Sequence, residues 1–80
     1  MTPLSPGTRA SKLLAVARSI PGPFTRDFLV LEAWRLHPAL FGLPGYYLPD
    51  SRKVDRALRR LLQRGLVRRR GNLFRAAGRR

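Results

Sequence analysis

Eighty residues carry 17 Lys plus Arg against 4 Asp plus Glu, a formal net charge of +13, at an apolar content of 44%; that is enough for one folded domain with a thin core and too little for two. The absence of cysteine excludes disulfides, thiolate metal sites and thiol chemistry. Apolar stretches such as Phe28 to Leu31 are far too short to span a bilayer, and the first residues, Met1 to Gly7, lack the charged and apolar regions of a signal peptide, so the expected location is cytoplasmic, with the nucleoid.

Residues 1–8, rich in proline, glycine and hydroxyl side chains, read as a flexible arm. Thr8 is the expected N-cap of a first helix over residues 9–20, where Ala10, Leu13, Val16, Ala17 and Ile20 recur at helical spacing. Pro21-Gly22-Pro23 ends it, because the prolines supply no amide donor and the glycine frees the turn. A second helix begins after Thr25 as cap, with Asp27 in its positive first turn and Phe24 as a hydrophobic staple, and runs to about Leu36 before Pro38. Phe28, Leu29, Val30, Leu31, Ala33, Trp34 and Leu36 leave only Glu32 and Arg35 as a polar strip, so this helix is expected at the buried centre.

Residues 38–49 read as a loop with hydrophobic anchors that fold back on the helices. The alternative is a contact for a homodimer or protein partner through Phe41, Tyr46, Tyr47 and Leu48. Asp50 or Ser51 caps a third helix over residues 51–64, with Val54, Ala57, Leu58, Leu61 and Leu62 on its apolar stripe. At 100° per residue, Arg52, Arg56, Arg59 and Gln63 gather on the opposite side, with Arg60 on one flank and Asp55 on the other. Gly65 stops this helix, and the runs Leu66 to Arg70 and Leu73 to Arg75 around Gly71-Asn72 read as a tight hairpin, followed by a basic tail over residues 76–80.

The charge is as local as the pattern. Residues 1–50 hold five basic and three acidic side chains, a net +2, whereas residues 51–80 hold twelve basic and one acidic, a net +11. A charged helix side is ordinarily solvated and laced with ion pairs. Here Asp55 is the only acid among the last thirty residues, which points to an anionic partner instead.

The stretch from Ser51 to Arg75, a helix followed by Arg64-Gly65-Leu66-Val67 and a basic hairpin, resembles the recognition helix and wing of winged helix-turn-helix domains. The resemblance covers about residues 9–75. Phe24-Thr25, Ala33-Trp34, Phe41-Gly42-Leu43, Gly45-Tyr46 and Pro49-Asp50-Ser51 are also similar to a group of short prokaryotic winged-helix proteins of unassigned function. It departs from the commonest pattern in the long link between the second and third helices. The implied fold is mainly α with a small β-hairpin, a three-helix winged domain. The implied function is duplex DNA binding, sequence-preferring or architectural, in transcription or another DNA transaction.

On that reading Ser51, Arg52, Lys53 and Arg56 approach base edges in the major groove, and Arg59, Arg60 and Gln63 hold the flanking backbone. Arg68, Arg69, Arg70 and Arg75 on the wing grip phosphates or enter the minor groove. The competing function is RNA binding in a ribosome-associated structural protein. An enzyme is not expected, nor a metal or cofactor: His37 stands at a helix end before Pro38, the four carboxylates Asp27, Glu32, Asp50 and Asp55 have capping or pairing roles, and Gly42-Leu43-Pro44-Gly45 lacks the lysine and helix start of a phosphate loop.

Overall fold

A computed structural model describes residues 6–77. Seven elements follow one another: α1 (Pro6–Ser19), β1 (Phe24–Thr25), α2 (Arg26–Leu36), α3 (Pro38–Phe41), α4 (Ser51–Gln63), β2 (Val67–Arg70) and β3 (Leu73–Ala76). The chain is thus mainly helical with a small antiparallel sheet, whose strand order is β1-β3-β2.

Each boundary has a local cause. α1 begins at Pro6, so the expected cap Thr8 and the end of the expected arm lie inside the helix; residues 1–5 fall outside the described residues. It ends where Pro21 removes the next donor, and Gly22 turns the chain at φ +84°. Thr25 caps α2, its Oγ1 accepting from Phe28 N at 3.1 Å. Asp50 caps α4 by accepting from Arg52 N at 3.0 Å, which leaves Ser51 as the first helical residue, half-buried. The end of α4 is a Schellman turn: Leu66 N donates to Leu61 O, Gly65 N to Leu62 O, and Gly65 adopts φ +74°. Gly71, at φ +61°, and Asn72 form the two-residue connection that pairs Arg70 with Leu73 and Arg68 with Arg75.

Two features depart from the sequence expectation. A β-strand, β1, pairs Phe24 with Phe74 and Thr25 with Leu73, so β3 of the hairpin is the central strand of a three-stranded sheet. Phe24, the residue before the cap Thr25, is buried in the same cluster as Leu29 of α2, and its ring also stands 6.4 Å from that of Phe74. The proposed tail is not a tail at Ala76 and Ala77: Ala76 pairs with Val67 and Ala77 N donates to Leu66 O, while residues 78–80 lie outside the described residues.

The expected loop over residues 38–49 is largely ordered by hydrogen bonds. His37 leaves helical geometry, closing α2 through its own N–H to Ala33 O, and Pro38 then starts the short α3 at a position where no amide donor is needed. There are therefore four helices among the described residues, not three. Asp50 N donates to Phe41 O and Leu43 N to Leu48 O, which closes residues 42–49 into a narrow loop; Pro44 and Gly45, at φ +80°, make its tip a type II turn. Gly42 at its base is buried because its Cα faces Pro38 O so closely that a Cβ would lie 2.5 Å from that oxygen.

The core is one cluster: Leu13, Val16 and Ala17 of α1, Leu29 and Ala33 of α2, Phe41 of α3, Val54, Leu58 and Leu61 of α4, with Val67 and Phe74 from the sheet. α4 packs chiefly on α1, so its opposite side is left for solvent. α2 is less central than its composition implies. Leu29, Val30 and Ala33 are buried, but Phe28 and Leu31 point outward, beside the Glu32–Arg35 ion pair, and Leu36 is exposed at the helix end. A helix has only one side to give to a core of this size, so an apolar circumference here exceeds what the fold can cover.

Candidate nucleic-acid interface

The apolar stripe of α4 sets where its cations go. With Val54, Ala57, Leu58 and Leu61 buried, Arg52, Arg56, Arg59 and Gln63 are exposed together on the outward side. None of these arginines is in an ion pair among the described residues, where the pairs involve only Arg26 and Arg35. Asp55, the acid on this helix, is committed elsewhere. Its two oxygens accept from Arg26 Nε and Nη2 at 2.8 and 2.9 Å, a fork that ties the start of α2 to α4. The hydrogen bonds from Arg26, aided by the charges of Arg26 and Arg59, hold the Asp55 carboxyl below the usual range. The same bonds raise Arg26.

The other sequence-selected residues divide. Lys53, expected near a base edge, donates from its Nζ to Gly42 O at 3.0 Å and braces the 42–49 loop against α4. Arg60 is half-buried and faces the cleft between α4 and Arg9 of α1. In the hairpin, alternation puts Arg68 and Arg70 on one face of β2, and Arg75, paired directly with Arg68, on the same face of β3. Like charges opposite one another in a ladder repel. Arg69 lies on the other face, where its guanidinium stands 5.8 Å from the Phe74 ring centroid and its Nε donates to Gly71 O at 2.9 Å. Arg69 thus also serves the hairpin, while lining one concavity with Arg68, Arg70 and Arg75.

The end of the hairpin and the start of α2 are neighbours: Arg26, Asp27, Arg69 and Asn72 line one concavity, and Arg26 is in turn bound to Asp55 of α4. Sequence reasoning missed Arg26, whose partner is 29 residues away, and no periodicity carries such a contact. It also missed Arg9, although a signal exists: Arg9 stands four residues before Leu13, in line with the apolar stripe of α1, where a cation is out of place.

The expected protein-contact residues separate as well. Phe41 has no exposed surface and belongs to the core, its ring 6.5 Å from that of His37, so it is not a partner contact. Tyr46, Tyr47 and Leu48 are exposed, Tyr47 at 85%, with the Tyr47 ring edge-on to Trp34 at 5.0 Å. The acidic groups are otherwise occupied: Glu32 accepts from Arg35, whose hydrogen bonds hold it below the usual carboxyl range, Asp27 pairs with Arg26, and Asp50 caps α4. No helix among the described residues is long and apolar enough to cross a membrane.

These observations define a small basic domain, mainly helical with a three-stranded antiparallel sheet, that presents arginines from one helix and one hairpin. No protein-family model, curated protein or solved structure matches the chain.

Proposed function

We propose that the chain is a duplex-DNA-binding domain of winged-helix type, with α4 as the recognition helix in the major groove and the β2–β3 hairpin as a wing on the backbone. The observation that carries this reading is the outward side of α4, where Arg52, Arg56 and Arg59 stand exposed while the one nearby acid is consumed by Arg26. Support for the fold type comes from the element order and from the strand order β1-β3-β2, which places a hairpin beside a short strand preceding α2. The facing Arg68 and Arg75 add a second cationic surface whose internal repulsion an anion would relieve.

On this reading each residue takes a role from its place on the helix. An α-helix fits the major groove, where an arginine can pair with guanine O6 and N7. Arg52 and Arg56, in the first two turns, are the base-edge candidates, and Arg59 with Gln63 lies along the backbone. The domain then serves a regulator of transcription or of another DNA transaction, with a cytoplasmic, nucleoid-associated location.

The test is fluorescence anisotropy of a short labelled duplex over a salt series, beside an RNA hairpin of equal charge. The six exposed arginines Arg52, Arg56, Arg59, Arg68, Arg70 and Arg75, each neutralising one phosphate, give a log K against log salt slope of about −5. The triple substitution Arg52→Gln, Arg56→Gln, Arg59→Gln should reduce it by about 3. An unchanged slope in that variant overturns the proposal, and tighter binding of the RNA at every salt concentration reassigns the partner to RNA.

A further inference from the structure

Between the first turns of α1 and the outer edge of α4 lies a cleft of about 260 Å³, lined by Arg9, Lys53, Arg56, Ala57 and Arg60. Four of its five lining residues are cations, and Ala57, almost fully buried, is the apolar one. No acidic residue lines it. It is smaller than the pockets that take organic ligands, and its four cations suit a small oxyanion.

Arg9 makes this more than a solvated patch. Its Nε is shut off from solvent and has no hydrogen-bond partner, the only such buried side-chain nitrogen or oxygen among the described residues. Buried donors are almost always satisfied, so the Arg9 guanidinium, which lines the cleft, has no anchor within the chain at Nε and is left to turn toward an oxyanion there. The position is costly in another sense: Arg9 occupies a site on the apolar stripe of α1, where an uncharged side chain would pack with Leu13 without penalty. Arg60 reaches the same cleft half-buried, and Lys53 spends one of its N–H groups on Gly42 O and keeps two.

We infer that this cleft seats a single phosphate-type oxyanion, and that in the complex proposed above, on which this assignment rests, the oxyanion is one backbone phosphate beside the groove that α4 occupies. Arg56 is the link: it belongs both to the exposed side of α4 and to the wall of the cleft, so a strand lying along that side passes the cleft mouth. Arg9 is then a phosphate ligand contributed by α1, outside the recognition helix and the wing. A free phosphate offers the same oxygens and is the other source to be separated.

The experiment compares the wild-type chain with Arg9→Gln, Arg9→Lys and, as an equal change of charge on the exposed side of the same helix, Lys12→Gln. Duplex binding is followed over a salt series, and inorganic phosphate is titrated against the arginine Nε–H signals by NMR; circular dichroism verifies that each variant is folded. Loss of one seated phosphate lowers the salt slope by about 0.9. That loss is expected for Arg9→Gln, is only partly restored by Arg9→Lys, which lacks the Nε donor, and is absent in Lys12→Gln. Wild-type binding with no difference between Arg9→Gln and Lys12→Gln overturns the cleft assignment and leaves the DNA reading intact. Failure of the wild type to bind duplex at low salt overturns the DNA reading; saturable phosphate shifts at Arg9 and Arg60 would then reassign the cleft to a free oxyanion, and their absence would refute the cleft altogether.

Discussion

Replacing Asp55 by Asn should change stability and polyanion binding in opposite directions. Asp55 is the fork that receives Arg26 Nε and Nη2 at 2.8 and 2.9 Å and so joins the start of α2 to α4. Both side chains are 42% exposed, so solvent screening keeps the pair near the upper end of the range for surface ion pairs, about 1 kcal/mol for a two-point geometry. In a domain of this size that corresponds to a fall in melting temperature of about 4–8 °C. The carboxyl is held below its ordinary value by the bonds from Arg26. It therefore binds fewer protons folded than unfolded between the two pKa values, and its contribution is complete above about pH 4 and disappears as pH falls through the folded value. The wild type and Asp55→Asn should accordingly differ in thermal scans at pH 7, and the difference should shrink as pH falls below the ordinary carboxyl range toward the folded value. The same substitution removes the acid on α4 and leaves Arg26 paired with Asp27 alone, a net gain of one positive charge beside the arginines of α4, so duplex affinity should rise at low salt. A variant as stable as wild type at pH 7, or one that binds duplex less tightly while still folded, would refute the reasoning.

Two further expectations concern the segment between α2 and α4. Gly42→Ala forces a Cβ to within 2.5 Å of Pro38 O, a backbone atom that cannot rotate away, so it should cost about 1–3 kcal/mol in urea unfolding; an unchanged midpoint would mean that the approach of α3 to the loop base is not tight. Phe41→Ala removes a ring with no exposed surface and should cost about 3–5 kcal/mol, a large share of the stability of an 80-residue domain. A Phe41→Ala chain that melts like the wild type, as a surface contact would allow, contradicts its place in the core.

The chemistry of the outward arginines was legible from spacing alone. Arg52, Arg56, Arg59 and Gln63 fall together because Val54, Ala57, Leu58 and Leu61 fall opposite, and that relation depends only on 3.6 residues per turn. The hairpin was legible for a similar reason, since Gly71-Asn72 accepts a tight turn and the β-prone runs on either side fix which arginines alternate. Caps at Thr25 and Asp50 and the stop at Gly65 are likewise local, each satisfying orphan backbone groups within three residues or so of itself.

What the chain order concealed are the choices made by contact. Lys53 and Arg56 read alike as helix cations, yet Lys53 is bound to Gly42 O, eleven residues earlier, and Arg56 is not. Arg69 sits among three arginines in a row and is distinguished from Arg68 and Arg70 only by which face of the sheet Phe74 occupies. Phe41 and Tyr47 are both aromatic residues of the same link; closure of the loop by Asp50 N on Phe41 O goes with burial of one and exposure of the other.

By itself, the sequence determined the helices with clear apolar stripes, the tight turn of the hairpin and the sign and location of the excess charge, because each depends on neighbours within about one or two turns of chain. Only the tertiary structure decided that Phe24 and Thr25 form a strand, that Asp55 belongs to Arg26, and that Arg9 stands beside Arg60 in a cleft. A two-residue strand has no pattern of its own and exists only where another strand offers its edge. The ion pair and the cleft join residues dozens of positions apart, and such juxtapositions arise when the helices pack around Leu13, Leu29, Phe41 and Val54 into a core too small to cover every apolar or charged side chain.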